Sequence, residues 1–277
     1  MIYAFHPKGL PFGIEKQLKI IGESRRWHIM FHELWLGLKQ GDPIKYSIIG
    51  FLQEGIVKGL LRKLTPDKVH THTRFYEYHL RKLNLEPDYL PLFSNIPFIK
   101  KEIIKSKLHI EKKTLVMFGL IHPEAPISSF VKEVSHVSEL EKLYQYRFIF
   151  VGKSGKYINN WVYELKKHNL EFEVLGELSE IEISHILQDS DYAITTNQVF
   201  VVEKSGTVAA MREHGLPVLI VAKNTMPKIK KTFALPSGFY KYEKGNFKEF
   251  SEIKFNQIKK VDIDNISKIF MNSLNLT

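Results

Sequence analysis

From Leu115 to Val221 the chain alternates short apolar runs with stretches of helical spacing, and this alternation limits its fold more than any other feature. Leu115 to Phe118 reads as a strand ending in Gly119, and Ile127 to Tyr144 carries helix patterning. Phe148 to Val151 is a strand ending at Gly152-Lys153-Ser154-Gly155, followed by a helix from Tyr157 to His168. Phe172 to Leu175 is a strand ending at Gly176, Ser179 caps a helix to Gln188, and Tyr192 to Thr195 is the next strand. Strands joined through helices of this length pair in parallel by βαβ crossovers, so the expectation is an α/β fold with a doubly wound parallel sheet.

The next stretch, VFVVEKSGTVAAMREHGLPVLIVA from Val199 to Ala222, reads as a loop, a helix and a strand. Ser205 or Thr207 can cap the helix, Gly206 lets backbone come close to a ligand, and Gly215 with Pro217 is the expected stop. Unpaired amides at such a helix start, with Lys204 beside them, make a site for a phosphate group. An ordinary capped helix would read the same way.

The first half is less regular. MIYAFHPKGLPFGIEKQLKII opens with three strand-like residues and passes at once into a Pro and Gly loop and a short helix, leaving no room for a first βα unit. Trp27 to Phe31 reads as a buried strand with His32-Glu33 just past its end, where ligands gather in an open parallel sheet; the pair could equally cap or brace the following turn. From Pro43 to Leu64, Ile44, Ile48, Leu52, Ile56, Leu60 and Leu61 recur at helical spacing among Lys45, Lys58, Arg62 and Lys63, giving one long amphipathic helix. Core packing is the first reading of that helix and membrane contact the second. VHTHT is a short alternating strand, Arg74 to Leu83 a helix, and Asp88 to Ile99 an extended strand with a polar turn at Ser94-Asn95. His70, His72 and His79 invite a metal reading, but no set of three or four convergent ligands stands at the right spacing, so no metal is expected.

Composition bounds the function classes. Forty Lys and Arg against 30 Asp and Glu give a net charge of +10, which favours nucleic acid, nucleotide phosphates or an anionic membrane surface. The absence of cysteine removes disulfides, thiolate chemistry and Cys-ligated metal. No run reaches the length of a membrane span and no secretion signal is visible, which places the protein in the cytoplasm, with peripheral contact at the inner face of the membrane as an extension.

Five passages, in order, carry a family resemblance. FIFVGKSGKY, FEVLGELSEIEISHILQDSDYAITT and VEKSGTVAAMREHGLPVLIV in the second half, with MFHELWLG and PLFSNIP in the first, resemble the glycosyltransferases with two facing Rossmann-like domains, the GT-B architecture, and in particular the large bacterial family 4. The resemblance implies an acceptor-side domain over 1–112, a nucleotide-sugar domain over 113–262, and a C-terminal helix over 263–277 that crosses back. It also implies transfer of a sugar from a nucleoside-diphosphate donor, UDP- or GDP-linked, to a polysaccharide or lipid-linked acceptor in cell-surface glycan biosynthesis, with no further cofactor. His32 and Glu33 take the catalytic place, and Gly119, Gly152, Lys153, Glu203, Lys204, Ser205, Gly206 and Thr207 the donor site.

Three departures qualify this. After the first strand of the second half, where the family carries an Arg and a Lys, this chain reads GLIHPEAP with His122 and no basic pair. Ala210 stands where the family's ribose-holding glutamate falls, and Val202 where its earlier glutamate falls, with Glu203 a substitute for the latter. The chain also starts about where the family's later first-domain strands lie, so the first domain is expected to be incomplete, prone to self-association or in need of a partner fragment. A non-catalytic nucleotide-sugar-binding remnant or a subunit of a split enzyme is therefore the alternative. Nucleic acid ranks last as a partner, since the lysines are scattered and no aromatic-plus-basic module is present.

Overall fold

A computed structural model of the chain describes residues 6–100, 111–140, 144–229, 231–253 and 263–274. They form two compact units, Met1–Pro91 with Thr225–Phe233 and Asp264–Thr277, and Leu92–Asn224 with Ala234–Ile263. The strand-like opening at residues 1–5 and most of the lysine-rich segment before Lys113 lie outside the described residues.

The first unit contains α1 (Ile14–Ile21), β1 (His28–Phe31), α2 (Ile44–Leu64), β2 (Lys68–Thr71), α3 (Arg74–Arg81) and β3 (Asp88–Tyr89). Its three strands pair in parallel in the order β1-β2-β3, with Met30 opposite His70. Only Asp88 and Tyr89 of the expected strand to Ile99 join a ladder; Pro91 and Pro97 lack the amide a ladder needs, and Ser94 Oγ instead bonds both the amide and the carbonyl of Ile96. Thr73 caps α3 by accepting from the Tyr76 amide at 3.0 Å.

The long helix α2 departs from the expected amphipathic pattern. Ile56, Leu60 and Leu61 are buried, together with Val57 and Leu64, but Ile44 and Ile48 are 80% and 60% exposed. The helix is anchored mid-way by Gly50, where a Cβ would fall 2.0 Å from the Leu36 carbonyl oxygen, and by Gln53, which accepts from the Leu36 amide at 2.9 Å. Thr225–Phe233 adds to this unit through a bridge between Lys39 and Pro227 and the packing of Phe233 on Phe75.

The second unit is larger. It runs β4 (Glu111–Phe118), α4 (Ile127–Leu140), β5 (Tyr144–Val151), α5 (Ile158–Lys167), β6 (Glu171–Gly176), α6 (Glu180–Gln188), β7 (Tyr192–Thr195), a 3-10 turn (Val199–Lys204), α7 (Gly206–Glu213), β8 (Val218–Ile220), β9 (Phe239–Lys241) and α8 (Phe247–Glu252). The helix expected over 127–144 stops at Leu140, and β5 begins at Tyr144, earlier than the apolar run from Phe148 suggested. All six strands are parallel, in the order β6-β5-β4-β7-β8-β9. Counted within the unit this is 3-2-1-4-5-6, the doubly wound order with its switch point between β4 and β7.

Both faces of that sheet are covered. Leu115 and Met117 pack with Phe130, Phe148 and Trp161 on one side, while the intervening Val116 packs with Val208, Met211 and Ile220 on the other, the two-residue alternation of a strand buried on both faces. Ile96 belongs to the second of these clusters, and the amide of Ile99 donates to Ser184 Oγ at 3.0 Å. The units therefore divide at Pro91 and Leu92, not near Lys113, because the segment after Pro91 is packed and hydrogen-bonded into the larger sheet.

The last helix, α9 (Ile263–Ser273), supplies most of its residues to the first unit, where Phe270 lies 4.9 Å from the His28 ring and 5.9 Å from that of His70. Among the described residues no helix is long and apolar enough to cross a membrane.

Candidate functional site

In an open parallel sheet ligands bind beyond the carboxyl ends of the strands at the switch point, which here means the turns after β4 and β7 and the start of α7. Gly119 closes β4 with φ 88°, and a Cβ on it would lie 2.6 Å from Thr207 Cγ2, so only glycine lets the strand end come this close to α7. Beside it Gly152 ends β5 with φ 81°, its amide donating to the Gly176 carbonyl at 2.6 Å.

A chain of polar contacts ties these turns together. The His122 amide donates to Thr196 Oγ1 at 2.7 Å, and His122 Nε2 lies 3.2 Å from Asn197 Oδ1. The Asn197 amide group donates to Thr195 Oγ1 at 2.8 Å and to Ser205 Oγ at 3.3 Å. With both Nδ2 contacts going to hydroxyls, Oδ1 is left to accept, and His122 presents Nε2–H to it. Ser205 Oγ lies 3.1 Å from Thr207 Oγ1 and accepts from the Val208 amide at 3.5 Å, which makes Ser205 the cap of α7.

Ser205 uses its hydroxyl on Val208 and its carbonyl on Ala209. Among the described residues, the amides of Gly206 and Thr207 take no protein acceptor, so they keep their donors for something else. Gly206 is half-buried, and a Cβ there would meet only Asn95 Oδ1, at 3.9 Å. The fold of this unit thus has no steric need for glycine at that position.

The sequence-predicted site residues divide into those this edge collects and those it does not. Gly119, Gly152, Ser205, Gly206 and Thr207 lie along it, and Glu203 and Lys204 end the 3-10 turn that leads into α7, both half-buried. Lys153 follows Gly152 in the turn after β5, its side chain 81% exposed and paired with Glu177 at 3.3 Å. His122, Thr195, Thr196 and Asn197, which the sequence reading did not count among the site residues, form the polar chain at this edge; the signal for the last three was a polar TTN directly after the buried strand β7.

His32 and Glu33 belong to the first unit, at the end of β1. His32 is exposed, its ring edge-on to that of His72 at 5.3 Å. Glu33 is half-buried and accepts from the Tyr76 hydroxyl at 2.9 Å, so it braces α3 as well as standing at a strand end. Burial holds the His72 imidazole below its ordinary pKa, opposed by its bond to the Leu90 carbonyl and aided by His32. No group of three or more His, Cys, Asp or Glu that could hold a metal occurs among the described residues.

No protein-family model matches the chain, and no curated protein matches it. Solved structures do. Anabaena Alr3699/HepE, determined in complex with UDP and glucose, superposes with a TM-score of 0.52 at 11% identity, over 95% of this chain and 76% of that one. The likeness is one of fold: two Rossmann-like α/β units, the GT-B architecture. A mutant of S. aureus TarM, in complex with Fondaparinux, alpha-GlcNAc-glycerol and UDP, matches 92% of this chain at 13% identity with a TM-score of 0.43. WaaG, a glycosyltransferase involved in lipopolysaccharide biosynthesis, matches 78% at 11% identity with a TM-score of 0.46. The chain spans 44% of the TarM chain, 66% of WaaG and 76% of HepE.

Proposed function

We propose that the chain binds a nucleoside-diphosphate sugar, UDP- or GDP-linked, at the strand-end edge of its larger unit and transfers the sugar to a glycan or lipid-linked acceptor. The observation that carries this is the pair of unused amides at Gly206 and Thr207, opening a helix at the switch point of a 3-2-1-4-5-6 sheet. Glycine at 206, which the fold itself does not require, is what a phosphate resting against backbone requires. That HepE was solved with UDP supports a UDP-linked donor.

In this reading the helix amides and Lys204 meet the charge that develops on the diphosphate as the bond from the anomeric carbon to its oxygen breaks. Ser205 and Thr207 hold the helix start, and Asn197 links it to His122. We assign the catalytic role to His32, exposed at the end of β1. The products go to cell-surface glycans, made by a cytoplasmic enzyme of a bacterium.

A binding-only role draws on one observation: Ala210 is fully buried, so the position where the resemblance puts a ribose-holding glutamate is core. Calorimetric titration with UDP and GDP tests the site. Gly206→Val should weaken diphosphate affinity at least about tenfold by blocking backbone approach, and Lys204→Ala should weaken it less. Undiminished affinity in both variants would show the assignment wrong, and binding without sugar transfer, unchanged in His32→Ala, would select the binding-only role.

A further inference from the structure

The helix α2 is apolar on two opposite sides. Its inner side, with Gln53, Ile56, Val57, Leu60, Leu61 and Leu64, is buried. Its outer side is the set Ile44, Ile48, Phe51, Gly55, Lys58 and Arg62, which at 100° per residue falls on a single stripe, and every one of these is exposed. Ile44, Ile48 and Phe51 are 80%, 60% and 76% open to solvent. A run of large aliphatic and aromatic side chains along one exposed stripe marks a surface that something else covers.

The charges around the stripe select what covers it. The first turn of α2 holds no acidic residue, Lys45 lies within it, and Lys58 and Arg62 continue the stripe itself. Glu54, the one carboxylate on the helix, is held by Lys58 at 2.7 Å. At the far end of α2 a cavity of about 640 Å3 is lined by Lys16, Lys19, Arg25, Trp27 and Lys63, with Glu23 as its single acid. A second copy of this +10 chain facing the stripe would set these cations against their own duplicates. An anionic lipid surface offers both an acyl boundary for the apolar half and phosphates for the cationic half. The helix cannot span a bilayer, so it would lie along one.

We propose that α2 docks the first unit onto an anionic bilayer, with Ile44, Ile48 and Phe51 entering the headgroup boundary and Lys58 and Arg62 meeting lipid phosphates. Docking of this kind does not depend on the donor site.

Co-sedimentation of the full chain with vesicles of phosphatidylcholine alone, or of phosphatidylcholine mixed with phosphatidylglycerol, tests it. The chain should pellet with the mixed vesicles and stay in solution with the neutral ones, and added salt should release it. Phe51→Glu should lower the partition coefficient at least about tenfold, since it puts charge where apolar surface enters the interface. The double variant Lys58→Glu, Arg62→Glu should remove the preference for anionic vesicles by a similar factor, about 1 kcal/mol being supplied per basic residue near the surface. All three side chains are exposed, so the fold should survive, as a thermal melt will show; if Phe51→Glu fails to fold, the double variant decides. Equal partition onto neutral vesicles, or unchanged partition in the charge variants, would overturn the proposal. So would a soluble dimer that Phe51→Glu splits, since a second copy would then own the stripe.

Discussion

The two parallel sheets of this chain are filled by different chemistry. In the larger unit the central strand β4 buries Leu115, Val116 and Met117, and the buried histidine that ends α7 is fully employed: His214 places Nε2 2.8 Å from Ser184 Oγ and Nδ1 2.8 Å from the Ala210 carbonyl. In the smaller unit the central strand β2 runs Val69, His70, Thr71, and His72 follows it, all buried. His28 and His70 share one contact at 2.8 Å, and the Nε2 atoms of His70 and His79 are buried with no partner. A hydrocarbon interior is indifferent to pH, whereas an imidazole kept dry and half-satisfied is stable only while neutral. The smaller unit should therefore be the acid-labile part of the molecule.

Acidification should have the largest effect. Burial, and for His70 the neighbouring His28, holds the His70 imidazole at about 4, and burial with Lys82 nearby holds His79 at about 4, both against an ordinary 6.5. Burial also holds His28 and His72 low. With the folded value below the unfolded one, the unfolded chain binds more protons, so this stability is complete above about pH 6.5 and is lost as pH falls towards 4. Each group moved from 6.5 to about 4 is worth on the order of 3 kcal/mol when fully protonated. Hydrogen exchange followed by mass spectrometry should show peptides over β1 and β2 losing protection between pH 6.5 and 4.5, before those over β4 and β5. Simultaneous loss in both would break the comparison.

The converse break is a cavity in the larger unit. Phe130 is fully buried against Phe148, Trp161, Tyr242 and Phe247. Phe130→Ala should cost about 3–5 kcal/mol at neutral pH. Denaturant unfolding read by tryptophan fluorescence can assign the loss, because Trp161 reports this unit and Trp27 and Trp35 the other. A shift confined to the Trp27 and Trp35 signal would contradict the assignment of the two cores.

How far the sequence showed this differs by region for physical reasons. The βα alternation from Leu115 to Ile220 was legible because strands buried on both faces must be continuously apolar. The strand β9 and helix α8 were not, being three and six residues long, with β9 only half-buried. The periodicity of α2 was legible, but spacing cannot separate two apolar stripes, and only the packing showed that Ile44, Ile48 and Phe51 face outward. At the site the cap and glycine of Lys204-Ser205-Gly206-Thr207 could be read locally, whereas the pairing of His122 with Asn197 joins residues 75 apart. The partner of Lys153 was hidden for the same reason: a basic residue after a strand end reads alike in sequence whether or not the next turn brings a carboxylate, here Glu177, to it.

The smallest expected effect gives the sharpest form of the comparison. His79 lies on α3, edge-on to Phe75, Trp35 and Tyr78 at centroid distances of 4.8 to 6.1 Å, 8% exposed, with Nε2 buried and unpartnered. Its neighbours are those a leucine would want, and its polarity contributes no bond at Nε2. Replacing a buried, unsatisfied polar group by an apolar one of similar size is neutral or stabilising. His79→Leu should therefore change the stability of the smaller unit at pH 7.5 by less than about 1 kcal/mol, in either direction. Its consequence should appear in acid, because a leucine takes up no proton on unfolding, and the fall in stability below pH 6.5 should become shallower by about one proton. Urea unfolding of the two proteins at pH 7.5 and 5, followed through Trp35, makes the measurement. A variant as acid-sensitive as the parent would show that His79 is not among the groups whose dryness sets the acid limit, and would leave His28, His70 and His72 to carry it.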